Sequence, residues 1–214
     1  MIVAVTLALV ALIAGQPSIS AQAHQEAAPA ALASALHATI APGGIRATIS
    51  GTPLDFWFVK TLPLKPASTT TSWAAVEEGT LVGAVRLASE FRDIRGRLIK
   101  PGVYTLRYGI QPQNGDHLGV SPFREFLLLS PAAVDTNAAA PGHEPTIEMS
   151  IKTAGGSHPA VWSIDPPVAT EAALANHTTD LGHKAVVVEV PVSRAGQSAG
   201  TLRFGVVLIG RVDA

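Results

Sequence analysis

His177, Asp180 and His183 stand at intervals of three residues in the polar run 177–183, and imidazole and carboxylate donors spaced this way in a tight turn can close around one divalent ion. His143 and Glu144, adjacent in sequence, could approach them. A second metal arrangement centres on His24. It follows Ala21-Gln22-Ala23, the small-residue step at which an export leader is cut, and a histidine in first position offers copper both its α-amine and its imidazole. Against these stand the plainer readings of solvated loop histidines and of a cleavage that happens to leave histidine first. Neither arrangement reveals the groups that would orient its rings.

Asn114-Gly115-Asp116-His117 lies between two apolar runs and has the composition of a turn. Asp116 and His117 are therefore candidates for a binding loop, since loops on a rigid sheet are where recognition concentrates. Gly196-Gln197-Ser198-Ala199-Gly200 fits Gly-x-Ser-x-Gly, the nucleophile elbow of α/β-hydrolases. It is rejected here: the elbow requires a strand turning into a helix with an acid and a histidine later in the chain, whereas the residues after Gly200 alternate like a strand and no histidine follows His183. Arg86, Arg92, Arg95, Arg97, Lys100 and Arg107 gather positive charge, which reads as the solvated face of a hairpin turning near Arg95-Gly96 or as a patch for an anionic partner. Phe56-Trp57-Phe58 and Trp162 suit either a core or a carbohydrate platform.

Residues 1–23 carry no charge, and 1–14 form an apolar run that ends at Gly15-Gln16-Pro17. A bilayer core needs about 20 apolar residues, so the run is too short to span and reads as an export leader, although it lacks the usual basic start. Export to the periplasm or the medium follows, with no stable membrane span after cleavage. The chain has 214 residues and no cysteine, so packing and backbone ladders alone must hold it together. A formal net charge of -1 gives no electrostatic reason for nucleic acid as a partner.

Strands dominate the remaining pattern. Val186, Val188, Val190 and Val192 fall on one side of a strand with Val187 and Glu189 on the other, and after the loop 193–200 Leu202, Phe204, Val206, Leu208 and Val212 repeat the pattern against Arg203 and Arg211. Tyr104, Leu106, Tyr108 and Ile110 share one face and Thr105 and Arg107 the other, while residues 126–129 read as a strand covered on both sides. Weaker candidates lie at 45–49, 54–59, 81–88, 147–151 and 161–164. The alanine-rich stretch 27–40 predicts a short helix stopped by Pro42-Gly43-Gly44. The expected organisation is a leader (1–23), an arm with a short helix (24–44) and one all-β domain (45–214). Within it, antiparallel strands form a two-sheet sandwich of immunoglobulin-like or jelly-roll-like type, with a closed barrel as the alternative.

The block from Gly96 to Tyr108, with its continuation from Gln111 to Val120, resembles a group of exported proteins of soil bacteria such as Acidobacteria. Its Pro101-Gly102-Val103-Tyr104-Thr105-Leu106 core is similar to the corresponding strand of carboxypeptidase regulatory-like and transthyretin-like modules. Both resemblances imply an exported β-sandwich, and neither supplies a catalytic activity, a cofactor or a site. The expected function is a non-enzymatic binding or accessory module whose partner is a protein, a glycan or another component of the cell envelope. The alternative is a periplasmic copper or zinc protein built on the histidines named above.

Overall fold

The computed structural model describes residues 17–112, 123–166 and 169–210. Its strands run in the order β1 (Ile19–His24), β2 (Gly44–Ile49), β3 (Thr52–Phe58), β4 (Leu62–Leu64), β5 (Leu81–Leu87), β6 (Phe91–Arg92), β7 (Leu98–Ile99), β8 (Gly102–Ile110), β9 (Glu125–Pro131), β10 (Val161–Asp165), β11 (Asn176–Thr178), β12 (Lys184–Arg194) and β13 (Gln197–Ile209). Helices are few: α1 (Ser34–His37) is a single turn and α2 (His143–Ala154) has 12 residues. The protein is thus mostly β, as its composition and periodicity predict.

The sheet is not divided into two. One continuous 11-stranded sheet runs β1-β2-β3-β5-β8-β9-β10-β13-β12-β11, with β4 joined in parallel to β12 and β6-β7 forming a separate hairpin. It curls until its ends approach, where the Asn176 side-chain amide donates to the Ile19 carbonyl at 3.2 Å. Apolar residues on the inner face force the curl, because a sheet with one greasy face must bury it against something. Here it meets itself. Phe56 on β3 lies edge-on to Trp162 on β10 (5.0 Å), and Phe58 lies edge-on to Phe204 on β13 (5.8 Å). Trp73 stacks on Tyr108 and Phe91 on Trp162, adding aromatic packing to this inner core.

The long hairpin is tighter than its sequence suggests. Instead of an eight-residue loop over 193–200, β12 and β13 are joined by Ala195 and Gly196 alone, both at positive φ (49° and 78°). That is the two-residue turn whose twist matches the flanking strands. Ser198 sits inside β13, so no strand-to-helix elbow exists there.

What the alternation cannot show is that the outer face is also covered. Thr105 and Arg107, expected to face solvent, are fully buried. The segment 132–142 crosses over them, and Arg107 uses all five of its guanidinium hydrogens. Nε and Nη2 donate to Asp135 (2.6 and 2.8 Å), Nη1 to the Gly79 and Ala139 carbonyls (2.6 and 3.2 Å), and Nη2 also to the Asn137 carbonyl. Thr105 Oγ1 donates to the same carboxylate at 2.5 Å. Gly79, at φ +83°, belongs to this junction: a Cβ there would lie 2.9 Å from the Gly142 nitrogen, where α2 begins.

Helix α2 replaces a strand expected at 147–151. Ile147 and Ile151 share a face at a spacing of four in a helix and also at even spacing in a strand, so the pattern is ambiguous. The docked side is moreover polar. Thr146 and Ser150 are buried, Ser150 Oγ donates to the Ala160 carbonyl (2.9 Å), and Thr153 Oγ1 donates to the Leu129 carbonyl on β9 (2.7 Å). Small hydroxyl residues let the helix lie close to the sheet while satisfying carbonyls that it would otherwise bury.

The N-terminal segment covers the outer face on the other side. β1 pairs antiparallel with β2 from Ile19↔Ile49 to His24↔Gly44, and Trp57, 0 % exposed, donates through Nε1 to the Glu26 carbonyl at 2.8 Å. The anticipated cut after Ala23 therefore falls within an ordered strand. A chain starting at His24 is expected to melt at a lower temperature than one starting at Pro17, because the β2 edge loses its ladder. Equal melting temperatures, measured by circular dichroism, would show that β1 contributes nothing.

Candidate functional site

A cavity of about 180 Å³ opens on the outer face where β8, β9 and β10 run side by side. Its floor comes from strand residues that point away from the inner core: Gly109 on β8, Phe126 and Leu128 on β9, and Val161 on β10. The first turns of α2 form one wall through His143, Glu144 and Ile147. Gly109 matters to the floor, since a Cβ there would press on the Leu128 side chain at 2.8 Å.

The β6-β7 hairpin closes the opposite side. Asp93 Oδ1 accepts from the Arg95 and Arg97 amides (3.0 and 2.9 Å), which shapes the tip, and Arg97 ties it down by donating to the His158 and Pro159 carbonyls. Ile94 then packs into the small outer core with Phe126, Leu128 and Val161, and Arg95 lines the cavity. The guanidinium of Arg95 makes no hydrogen bond or ion pair among the described residues. Burial, reinforced by Arg97 and only partly offset by Asp93, pushes its pKa below the ordinary arginine value. A cation held in this way is short of a counter-charge.

Other polar groups stand at the rim. His143 Nδ1 lies 3.1 Å from Glu78 Oε1, which also accepts from the Ile110 amide (2.8 Å), so the ring is oriented and Nε2 is left for a ligand. His158 is bonded through Nδ1 to Ser157 Oγ at 2.9 Å. No carboxylate on its other nitrogen is found among the described residues, so this exposed neighbour pair lacks the third group of a nucleophilic triad.

Three of the residues singled out for metal, His177, Asp180 and His183, lie close enough to the Asp165 carboxylate for each to act on its ionisation. His177 is buried on β11 with both ring nitrogens committed: Nδ1 lies 2.9 Å from Glu171 Oε2, and Nε2 lies 3.3 Å from Asp165 Oδ1. Thr179 Oγ1 accepts from the His183 amide (3.0 Å), shaping the turn that carries Asp180. Among the described residues, no group of three His, Asp or Glu side chains is arranged to hold a metal ion. His24 lies within β1, where its Nδ1 accepts from the Glu26 amide and its ring meets Trp57 edge-on at 5.2 Å. Asp116 and His117 lie outside the described residues.

The aromatic candidates are structural, and so are two of the basic ones, Arg86 and Arg107, which are committed to carboxylates. Phe56, Trp57, Phe58 and Trp162 are all buried, which leaves no carbohydrate platform on β3 or β10. Arg86 donates to Glu26 and Asp55, and Arg46 joins it on Asp55 at 2.6 Å. Burial opposes ionisation of Asp55, but the bonds from Arg46 and Arg86 outweigh it and hold the carboxyl below its usual range. The basic run is therefore dispersed, with Arg86 paired on one side of the sheet, Arg107 buried and Arg95 alone in the cavity. Sequence reasoning grouped Arg95 with its neighbours because nothing local distinguishes it.

Neither family models, curated proteins nor solved structures match this chain. The site must be read from its own chemistry.

His177 gives the fold a pH dependence. Burial alone would lower its pKa, but the bonds to Glu171 and Asp165 outweigh this and raise it above the ordinary 6.5. A raised imidazole value stabilises the fold fully below about 6.5 and loses that contribution as pH rises through the folded-state value. The melting temperature is expected to fall from pH 6 to pH 9 more steeply in the native chain than in His177→Gln, about one residue's titration apart. Parallel curves would rule out the charged bridge.

Proposed function

We propose that this chain is a non-enzymatic binding module of the exported β-sandwich class, and that the outer-face cavity between α2 and the β6-β7 hairpin is its ligand site. The observation that carries the reading is a preformed cavity of about 180 Å³ whose floor is apolar and whose one half-buried charge without a hydrogen bond or ion pair among the described residues is Arg95, the other charge of the lining, Glu144, being exposed. Ligand sites are typically concave and apolar with a few polar groups that fix orientation. Binding is preferred to catalysis because the exposed Ser157-His158 pair lacks a third group to orient its imidazole, and His143, oriented by Glu78, has no nucleophile hydrogen-bonded to it among the described residues.

The sandwich assignment rests on the curled sheet bringing β3 against β10 and β13 across an aromatic core. Export rests on the uncharged apolar run 1–14. Among the described residues no helix is long and apolar enough to cross a membrane. The resemblance to exported soil-bacterial proteins fits the same picture, with a component of the cell envelope as the source of the ligand.

A neutral one-ring probe tests the site. Benzyl alcohol is expected to shift the nuclear magnetic resonance signals of Phe126, Leu128 and Ile147 saturably, and Ile147→Trp, which fills the cavity, is expected to abolish this. Unchanged binding by the variant, or no saturable shift in the native chain, would refute the assignment.

A further inference from the structure

We infer that the cavity recognises a small monocarboxylate, an acid group on a single aromatic ring or a short aliphatic chain, with the Arg95 guanidinium as the anion anchor. This rests on the reading of the cavity as a ligand site. Three observations set the class of ligand. The first is size: a cavity of about 180 Å³ is close to the roughly 150 Å³ that accommodates benzene in an apolar protein interior, so the body is one ring or about six carbons. The second is the apolar lining, where Phe126, Leu128 and Val161 on the floor and Ile147 on the α2 wall offer apolar side chains to that body. The third is charge.

Arg95 is the one arginine of the segment 86–107 whose guanidinium has neither a carboxylate nor a carbonyl partner among the described residues. Arg86 has Glu26 and Asp55, Arg92 the Gly96 carbonyl, Arg97 the His158 and Pro159 carbonyls, and Arg107 Asp135. Its backbone is held by Asp93 at a hairpin tip that Arg97 anchors, so the side chain is presented from a fixed base. A planar fork so placed binds a carboxylate through two parallel N–H donors. The acid in the lining, Glu144, is exposed and screened by water. Glu78, behind His143, is already occupied by that ring and by the Ile110 amide.

A phosphate monoester carries more charge than one guanidinium offsets, and the apolar floor gives a free inorganic anion nothing to bury. An amphipathic acid matches both halves of the site.

The test is calorimetric titration of the full chain with two matched pairs, benzoate against benzyl alcohol and hexanoate against hexan-1-ol, in native protein and in Arg95→Gln, Arg95→Lys and Ile147→Trp. Each acid is expected to bind about tenfold more tightly than its alcohol, the strength of a charge-assisted pair. Arg95→Gln is expected to erase that preference while leaving alcohol binding within about twofold, and Arg95→Lys to retain part of it. Ile147→Trp is expected to abolish binding of all four.

If acids and alcohols bind the native chain equally, or if Arg95→Gln keeps the acid preference, the monocarboxylate inference falls while the cavity survives as a binding site. If acids bind Ile147→Trp as well as native protein, they bind elsewhere and the inference falls. Failure of all four probes to bind overturns the inference and the site together.

Discussion

One buried ion pair organises the outer half of this molecule. Arg107, in the middle of β8, cannot reach water, and a charge in that position is tolerable only when its donors are matched. Asp135 and three backbone carbonyls, those of Gly79, Asn137 and Ala139, supply the match. Satisfying one side chain in this way fixes the path of the segment 132–142 across the sheet and sets where α2 starts. The position of α2, in turn, decides whether the strand residues behind it form a closed surface or a cavity.

The two faces of the curled sheet are built on different terms. Inside, aromatic and branched side chains from β3, β8, β10, β12 and β13 pack as one core. Outside, coverage is assembled from pieces: the N-terminal segment over Trp57, the ion pair under 132–142, and a helix whose buried contacts are hydroxyls. Such a layer is held by polar geometry more than by apolar area, and it leaves a gap where the pieces meet. The cavity beside Arg95 is that gap, bounded by the hairpin 91–99, the end of the β8 strand that follows it, and α2.

This division explains what could be read in advance. Alternation in 104–110, 186–192 and 202–208 reports the inner face directly, and those strands stand where the pattern places them. The hairpin turning near Arg95-Gly96 was equally legible from its glycine and charge pattern. Arg107 was not, since an arginine opposite Tyr104, Leu106 and Tyr108 looks like any solvent-facing residue until its partner 28 positions away is known. Helix α2 was hidden because its inward positions, Thr146, Ser150 and Thr153, are polar. β1 was hidden because Ala21-Gln22-Ala23 also reads as a processing step. The histidine spacing at 177–183 was real, yet carboxylates outside the motif, Asp165 and Glu171, captured the ring.

The account stands on Arg107 and Asp135 holding the outer layer in place, and native-state hydrogen exchange of Asp135→Ala tests it most directly. Stability is expected to fall by about 3–5 kcal/mol, with the α2 amides losing protection ahead of the β3-β5-β8 ladder, and replacement of both partners by apolar residues is expected to recover most of the loss. A loss below about 1 kcal/mol with α2 still protected would contradict it.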